Sequence, residues 1–303
     1  MSISAARLRT LLGFVDTELA LEACETEDCG SHFVERLRFR SLRNGAEIRG
    51  LLTRPPGSDG PTPAILYAHA HGGRYEIGAS ELLEGRPALL SPPGPLLAEH
   101  GFVTVCIDMP TFGERSVVTE SAAAKAALWY GRTLFGQMLS EQQAALTWLS
   151  SRDDVDANRM GMTGISMGAT LSYFLAALDD RIAAIAHLCC FADFASLVET
   201  GAHDRHGHYL TIPDLLSETS TGAIAGLVAP RPQLICVGLD DPLTPPQAVE
   251  RAYAETQAAY RAAAAEGTLS LLAEPGVGHV ETEPMRDAVL AFLKRYLRAL
   301  DHA

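Results

Sequence analysis

No run of lysine or arginine occurs in the 303 residues, and no apolar stretch is long enough to span a bilayer. The 24 Lys and Arg are outnumbered by 37 Asp and Glu. The resulting formal net charge of −13 argues against nucleic acid, and against an anionic membrane surface, as partners. Internal repeats are absent, and the only compositional bias is an alanine-rich helical segment around 252–265. The six cysteines lack the paired spacing of a zinc site. Cys106, Cys189, Cys190 and Cys236 lie in apolar strand-like runs and read as structural free thiols, while Cys24 and Cys29 could pair only in an exported protein. The apolar run from Leu11 to Val15 is too short for a signal-peptide core and is followed by Asp16 and Glu18. A soluble, cytoplasmic protein is expected.

What is present is a composition that is 47% hydrophobic and 20% charged, enough for a sizeable core. Residues 1–32 read as a helical N-terminal extension, with Leu8, Leu11, Leu12, Val15 and Leu19 at helical spacing. Two strand-like segments, Phe33–Phe39 and Ala46–Thr53, flank a turn at Asn44-Gly45. From Ala64 onward strands and helices alternate. Strands are predicted at 64–68, 102–107, before Ser166, and at 182–188, 233–237 and 268–272. Helices are predicted near 88–100, over most of 121–150 with breaks at Gly131 and Gly136, after Ser166, and from about 283 to 300. This alternation predicts one α/β domain over 33–303, with a mostly parallel central sheet covered by helices on both faces. Residues 191–230 are less regular and read as a lid insertion.

The most informative stretch is Gly164-Ile165-Ser166-Met167-Gly168, a G-x-S-x-G pentapeptide. Chance alone gives roughly 0.1 such matches in a chain of this composition, so the letters by themselves are only moderately specific. Their context is stronger, because an apolar strand precedes them and an alanine- and leucine-rich helix follows. A serine on such a strand-to-helix turn presents its hydroxyl above the sheet. That hydroxyl is a weak nucleophile and needs a base. In a parallel sheet the base and its orienting acid are expected at the carboxyl ends of later strands. Asp240 and Asp241 follow one such strand and His279 follows the last, in the order serine, acid, histidine. The two aspartates are not separated by this reasoning.

Acyl transfer also needs donors for the developing oxyanion. The Met167 N–H, directly after the serine, is one candidate. Gly72 and Gly73, in the loop after the first buried strand, are candidates for the second. His69 and His71 then read as loop-shaping or pocket residues, and Asp108 with Arg115 as a structural pair. Trp129, Tyr130, Phe191 and Phe194 are candidates for an apolar substrate pocket. His206 and His208, in the segment His203-Asp204-Arg205-His206-Gly207-His208, are candidates for polar contacts to substrate. The same three histidines could be a zinc site, but their spacing matches no helical ligand pair, and a polar lid is the preferred reading.

Taken together the motifs resemble the α/β-hydrolase fold, in its dienelactone-hydrolase and acetyl-esterase-like group. The resemblance runs from about residue 33 to the end. It rests on His71-Gly72, Asp108 with Gly113-Glu114-Arg115, the pentapeptide at Ser166, Gly238 with Asp241, and Gly278-His279. It implies Asp241 as the acid, no cofactor and no metal. Dienelactone hydrolases proper carry cysteine where this chain has Ser166, and the His71-Gly72-Gly73-Arg74 loop differs from the three-glycine loop of many lipases.

The expected activity is hydrolysis of carboxylic esters of small to medium-sized molecules through an acyl-enzyme, by Ser166, His279 and Asp241. An amidase or peptidase, or a C–C bond hydrolase, would use the same residues. A binding protein without catalysis is a further alternative. The expected partner is a small-molecule ester, and the N-terminal extension is a candidate surface for a homodimer.

Overall fold

The computed structural model describes residues 3–57 and 60–298. The chain begins with helix α1 (Ala5–Leu12), which Ser4 caps and which stops at Gly13 in the left-handed conformation. Strands β1 (Leu19–Asp28), β2 (Phe33–Ser41) and β3 (Glu47–Arg54) follow as an antiparallel meander. The expected helical reading of 1–32 therefore holds only for its first third, since residues 19–28 are a strand. Gly13 ends the helix before Val15 and Leu19 can join its apolar face. The β2–β3 turn forms at Asn44-Gly45, where Gly45 has φ +70° and the Ala46 N–H donates to Asn44 Oδ1.

The alternating part comprises β4 (Thr62–Ala68), α2 (Glu81–Glu84), α3 (Pro93–Glu99), β5 (Val103–Ile107), α4 (Glu120–Trp129), α5 (Leu134–Ser150) and β6 (Val155–Ile165). It continues with α6 (Met167–Leu178), β7 (Ile182–Leu188), α7 (Phe194–Thr200), α8 (Leu215–Glu218) and α9 (Thr221–Gly226). The chain closes with β8 (Gln233–Gly238), α10 (Pro246–Ala262), β9 (Leu269–Glu274) and α11 (Glu283–Leu297). The helix expected over 88–100 starts only at Pro93, because Pro92 at the cap and Pro93 in the first turn favour a start there and disfavour helix before it. The predicted end of the last helix, residues 299 and 300, lies outside the described residues.

Among the described residues, nine strands form one sheet in the order β1-β2-β3-β5-β4-β6-β7-β8-β9. Every pairing from β5 to β9 is parallel, and β3 joins that part antiparallel. Side chains alternate between two cores. Ala64, Leu66 and Ala68 of β4 face one core with α1, α5 and α6, whereas Ile65 faces the other with α3 and α11. Burial on both faces explains the continuous apolar strands of the sequence.

Gly131 lies between α4 and α5, as expected, but Gly136 is inside α5 and breaks nothing. A Cβ there would overlap the Leu12 carbonyl, so glycine lets α1 pack directly on α5. The segment 191–230 also divides. Residues from Phe194 to Leu216 border a cavity, while α9 packs beneath α10, where Thr256 Oγ1 donates to Gly222 O. No helix among the described residues is long and apolar enough to cross a membrane.

Candidate active site

The sheet order reverses at β4, with β5 on one side and β6 on the other, so a crevice opens at the carboxyl ends of β4 and β6. Ser166 sits there, between the end of β6 and the start of α6, with φ 60° and ψ −121°. Such a conformation costs a non-glycine residue about 1–3 kcal/mol and persists only where its surroundings enforce it. Here the Ser166 N–H donates to Leu188 O at 2.9 Å, and Ser166 O accepts from the Thr170 N–H at 3.2 Å. Gly164 and Gly168 complete the enforcement. A Cβ at either would overlap the Ala68 carbonyl, so the pentapeptide lies flush on the end of β4.

The loops after β8 and β9 are tied together by backbone bonds from Leu239 N to Glu274 O and from Asp240 N to Val277 O, both 2.9 Å. This arrangement separates the two aspartates, for Asp240 is exposed and Asp241 is only 2% exposed. His279 Nδ1 lies 2.6 Å from Asp241 Oδ2, and the Leu243 N–H donates to Asp241 Oδ1 at 2.8 Å. A carboxylate can only accept, so Nδ1 carries a proton, and in the neutral ring Nε2 is then the acceptor. Ser166 and His279 border the same cavity of about 810 Å³. Among the described residues Ser166 and His279 share no direct hydrogen bond, and what joins them is the cavity that both border.

Met167 begins α6, where the first backbone N–H groups have no helical acceptor. Gly72 and Gly73 border the cavity too, both at positive φ. The Gly73 N–H is engaged, donating to His71 Nδ1 at 3.0 Å, whereas that of Gly72 has no partner among the described residues. The loop is held from below by a buried carboxylate. Glu81 pairs with Arg86 and accepts from the Tyr67 hydroxyl at 2.6 Å and from the Ala70 N–H, while Arg86 donates to Ala70 O. Burial pushes the Glu81 carboxyl up despite the Arg86 charge. His69 is buried beside it, accepting from the Met109 N–H and bonding Ala70 O. Burial takes its pKa down to about 3, so it is neutral.

The other expected pocket residues divide. His71, His206 and His208 border the cavity, as does Phe194. His206 Nε2 bonds Leu243 O at 3.1 Å, close to the Asp241–His279 pair, and burial lowers its pKa. Trp129 does not reach the cavity. It is 89% exposed at the end of α4, and its neighbour Tyr130 faces a different cleft. Phe191 is also outside it, fully buried against Tyr173 and His187 behind β7. An aromatic side chain on this fold has the core or the surface open to it, and composition does not choose between them. Among the described residues no group of three His, Cys, Asp or Glu comes together in a way that could hold a metal ion. His203 instead turns toward Leu197 O at 3.3 Å. Asp108 and Arg115 do not form the expected side-chain pair. Asp108 binds Arg49 through two 3.0 Å contacts, and Arg115 pairs with Glu141 while donating to the Asp108 backbone carbonyl.

One residue of the site is invisible in the pattern of the chain. Glu120, at the start of α4, is buried and accepts from His71 Nε2 at 2.9 Å, the Tyr75 hydroxyl at 2.6 Å and the Tyr209 N–H at 2.6 Å. Its sequence context, directly after the capping Thr119, reads as an ordinary acid favoured by the helix dipole.

The parallel sheet, its reversal point and the strained serine turn define an α/β-hydrolase. The comparisons with known proteins then give the family. Residues 44–266 match the model of the X-Pro dipeptidyl-peptidase (S15) family, and the chain belongs to that family. It is 35% identical over 280 residues to YtaP of Bacillus subtilis, a protein named as a hydrolase, covering 92% of this chain and 93% of that one. Among solved structures it is similar to acetyl xylan esterase 1 from Thermoanaerobacterium, with a TM-score of 0.66 at 19% identity, covering 97% of this chain and 92% of that one. It is also similar to a Klebsiella pneumoniae protein described as a dienelactone hydrolase, with a TM-score of 0.57 at 16% identity over 85% of this chain and 95% of that one. The protein is a hydrolase.

Proposed function

We propose that this hydrolase cleaves carboxylic esters of small to medium-sized molecules through an acyl-enzyme on Ser166. His279 Nε2 takes the serine proton as Oγ attacks the carbonyl, and Asp241 holds the imidazole in the required tautomer and stabilises the imidazolium. The N–H groups of Met167 and Gly72 receive the oxyanion. The imidazolium then protonates the leaving alcohol, and a water activated by the same histidine releases the acyl group.

The observation that carries this reading is the 2.6 Å contact between His279 Nδ1 and a buried Asp241, with His279 and Ser166 facing one cavity. Its volume of about 810 Å³ favours substrates larger than an acetate. Leu197, Leu210, Ile212, Leu215 and Leu243 offer one apolar side for an acyl chain or a hydrophobic alcohol. The esterase names of the structural neighbours support the choice of bond.

The test is hydrolysis of p-nitrophenyl esters from C2 to C8 by wild type beside Ser166→Ala. Turnover with an optimum above C2, lost in the variant, is the expected result. A second reading, peptidase action, is favoured by the family's name. Turnover of an Xaa-Pro p-nitroanilide exceeding that of every ester would select it.

A further inference from the structure

The lid and the loop bearing Gly72 meet on a single carboxylate. Glu120 Oε2 accepts from His71 Nε2 and from the Tyr75 hydroxyl, both of the loop that follows β4. Glu120 Oε1 accepts from the Tyr209 N–H, in the lid. The approach is close on the lid side, where a side chain at Gly207 would have to push the Glu120 carboxylate or the His71 ring aside. A Cβ on Gly207 would lie 2.6 Å from Glu120 Oε1 and 2.7 Å from His71 Nε2. Aromatic rings enclose the contact, with His71 5.1 Å from Tyr75, 5.2 Å from Phe112 and 5.6 Å from Tyr209 between ring centroids.

The consequence passes through the His71 ring. Because Glu120 accepts at Nε2, that nitrogen carries the proton and Nδ1 is left as an acceptor. Nδ1 receives the Gly73 N–H at 3.0 Å, which fixes the turn beside Gly72, a residue that borders the cavity and whose own N–H has no partner among the described residues. Burial pushes the Glu120 carboxyl up, but the bonds from His71, Tyr75 and the Tyr209 N–H outweigh it and keep it below the ordinary glutamate value. A lid that moved away would strip an ionised, buried oxygen of its partner, which is unfavourable.

We infer that Glu120 is a positioning residue, a clasp that sets the oxyanion-binding turn through His71 and holds the lid closed over the substrate through Tyr209. This rests on the Ser166 reading above and deepens it. The two arms are separable. Glu120→Ala removes both. Glu120→Gln can keep its amide oxygen toward His71 and Tyr75, but then presents an N–H₂ group to the Tyr209 N–H, a donor facing a donor.

The experiment measures kcat and KM on p-nitrophenyl acetate and octanoate for wild type, Glu120→Ala, Glu120→Gln and Ser166→Ala. Rates of wild type and the Glu120 variants are expressed per site titrated with a fluorophosphonate, so that misfolded protein is not counted, and the rate of Ser166→Ala, which has no site to titrate, is expressed per folded chain. Glu120→Ala is expected to lower kcat about tenfold or more on both esters. Glu120→Gln is expected to lower kcat less, and to raise KM about threefold or more for octanoate while moving it less for acetate. If kcat and KM per titrated site stay within about twofold of wild type in both variants, Glu120 is only structural and the clasp is wrong. If Glu120→Ala yields no folded protein, Tyr75→Phe takes its place, removing one bond to Oε2. A kcat about threefold lower supports the clasp, and an unchanged kcat overturns it. Turnover that survives Ser166→Ala would instead overturn the Ser166 reading, and the clasp with it. Loss in Ser166→Ala beside unaltered Glu120 variants sinks the clasp alone.

Discussion

The carboxylate of Asp241 reaches His279 Nδ1 at 2.6 Å, while the side chain one residue earlier, Asp240, is exposed. The difference lies in the backbone. The Asp240 N–H bonds Val277 O and leaves that side chain outside, whereas Asp241 turns beneath the loop and takes the Leu243 N–H. Asp241→Asn is therefore expected to lower kcat by about 10²–10⁴, since an amide in that place favours the wrong histidine tautomer. Asp240→Asn is expected to stay near wild type. Steady-state kinetics on one p-nitrophenyl ester compare the two, and equal losses would show that the loop tolerates neither change for reasons unrelated to His279.

Gly168 has no room for a side chain, because its α-carbon faces the Ala68 carbonyl of β4. Gly168→Ala would have to push α6 away from β4, at a cost of about 3 kcal/mol or more. Gly267, with open space around it, serves as the control. Gly267→Ala is expected within about 0.5 kcal/mol of wild type. Urea unfolding of the two variants checks the contrast.

Acid sensitivity follows from a buried histidine. His187, in β7, has its Nε2 3.0 Å from the Gln233 side-chain nitrogen and its Nδ1 without a partner, and burial takes its pKa to about 3. The unfolded chain protonates near 6.5, so between pH 6.5 and 3 it binds a proton that the folded chain refuses. The contribution of His187 is complete above pH 6.5 and is lost as the pH falls toward 3, by about 2 kcal/mol between pH 7 and pH 5. His187→Gln removes the titration while keeping polar atoms within reach of Gln233. Its melting temperature is expected to fall less between pH 7 and pH 5 than that of wild type. Parallel slopes would mean that His187 is protonated in the folded protein.

Trp129, 89% exposed and away from the cavity, provides a negative prediction. Trp129→Ala is expected to leave kcat and KM within about twofold for esters of every chain length. A selective loss on long acyl chains would mean that α4 turns its end toward the substrate.

Much of this site was legible in the chain because its chemistry is written at strand ends. Strands buried on both faces appear as apolar runs, and the residues that follow them, Ser166, Asp241 and His279, lie at one edge because parallel strands share one carboxyl edge, with His279 against Asp241 and Ser166 and His279 on one cavity. The choice between Asp240 and Asp241 was not legible from polarity, since it depends on which backbone N–H meets Val277 O. β1 was missed for a different reason. Its residues after Leu21 are exposed and acidic, with no apolar alternation, and β2 holds them by cross-strand pairing, including the ion pairs of Arg36 with Glu27 and Arg40 with Glu22. Glu120 was hidden because its partners, His71 and Tyr209, stand 49 and 89 residues away and carry no shared pattern.

The central claim is that Ser166 is a nucleophile activated by His279, and covalent labelling tests it most directly. Wild type, Ser166→Ala and His279→Ala are treated with a fluorophosphonate and read by intact mass and peptide mapping. One adduct per chain on Ser166, absent in the serine variant and much slower in the histidine variant, is the predicted result. No adduct, or an adduct on another residue that persists in Ser166→Ala, would contradict it.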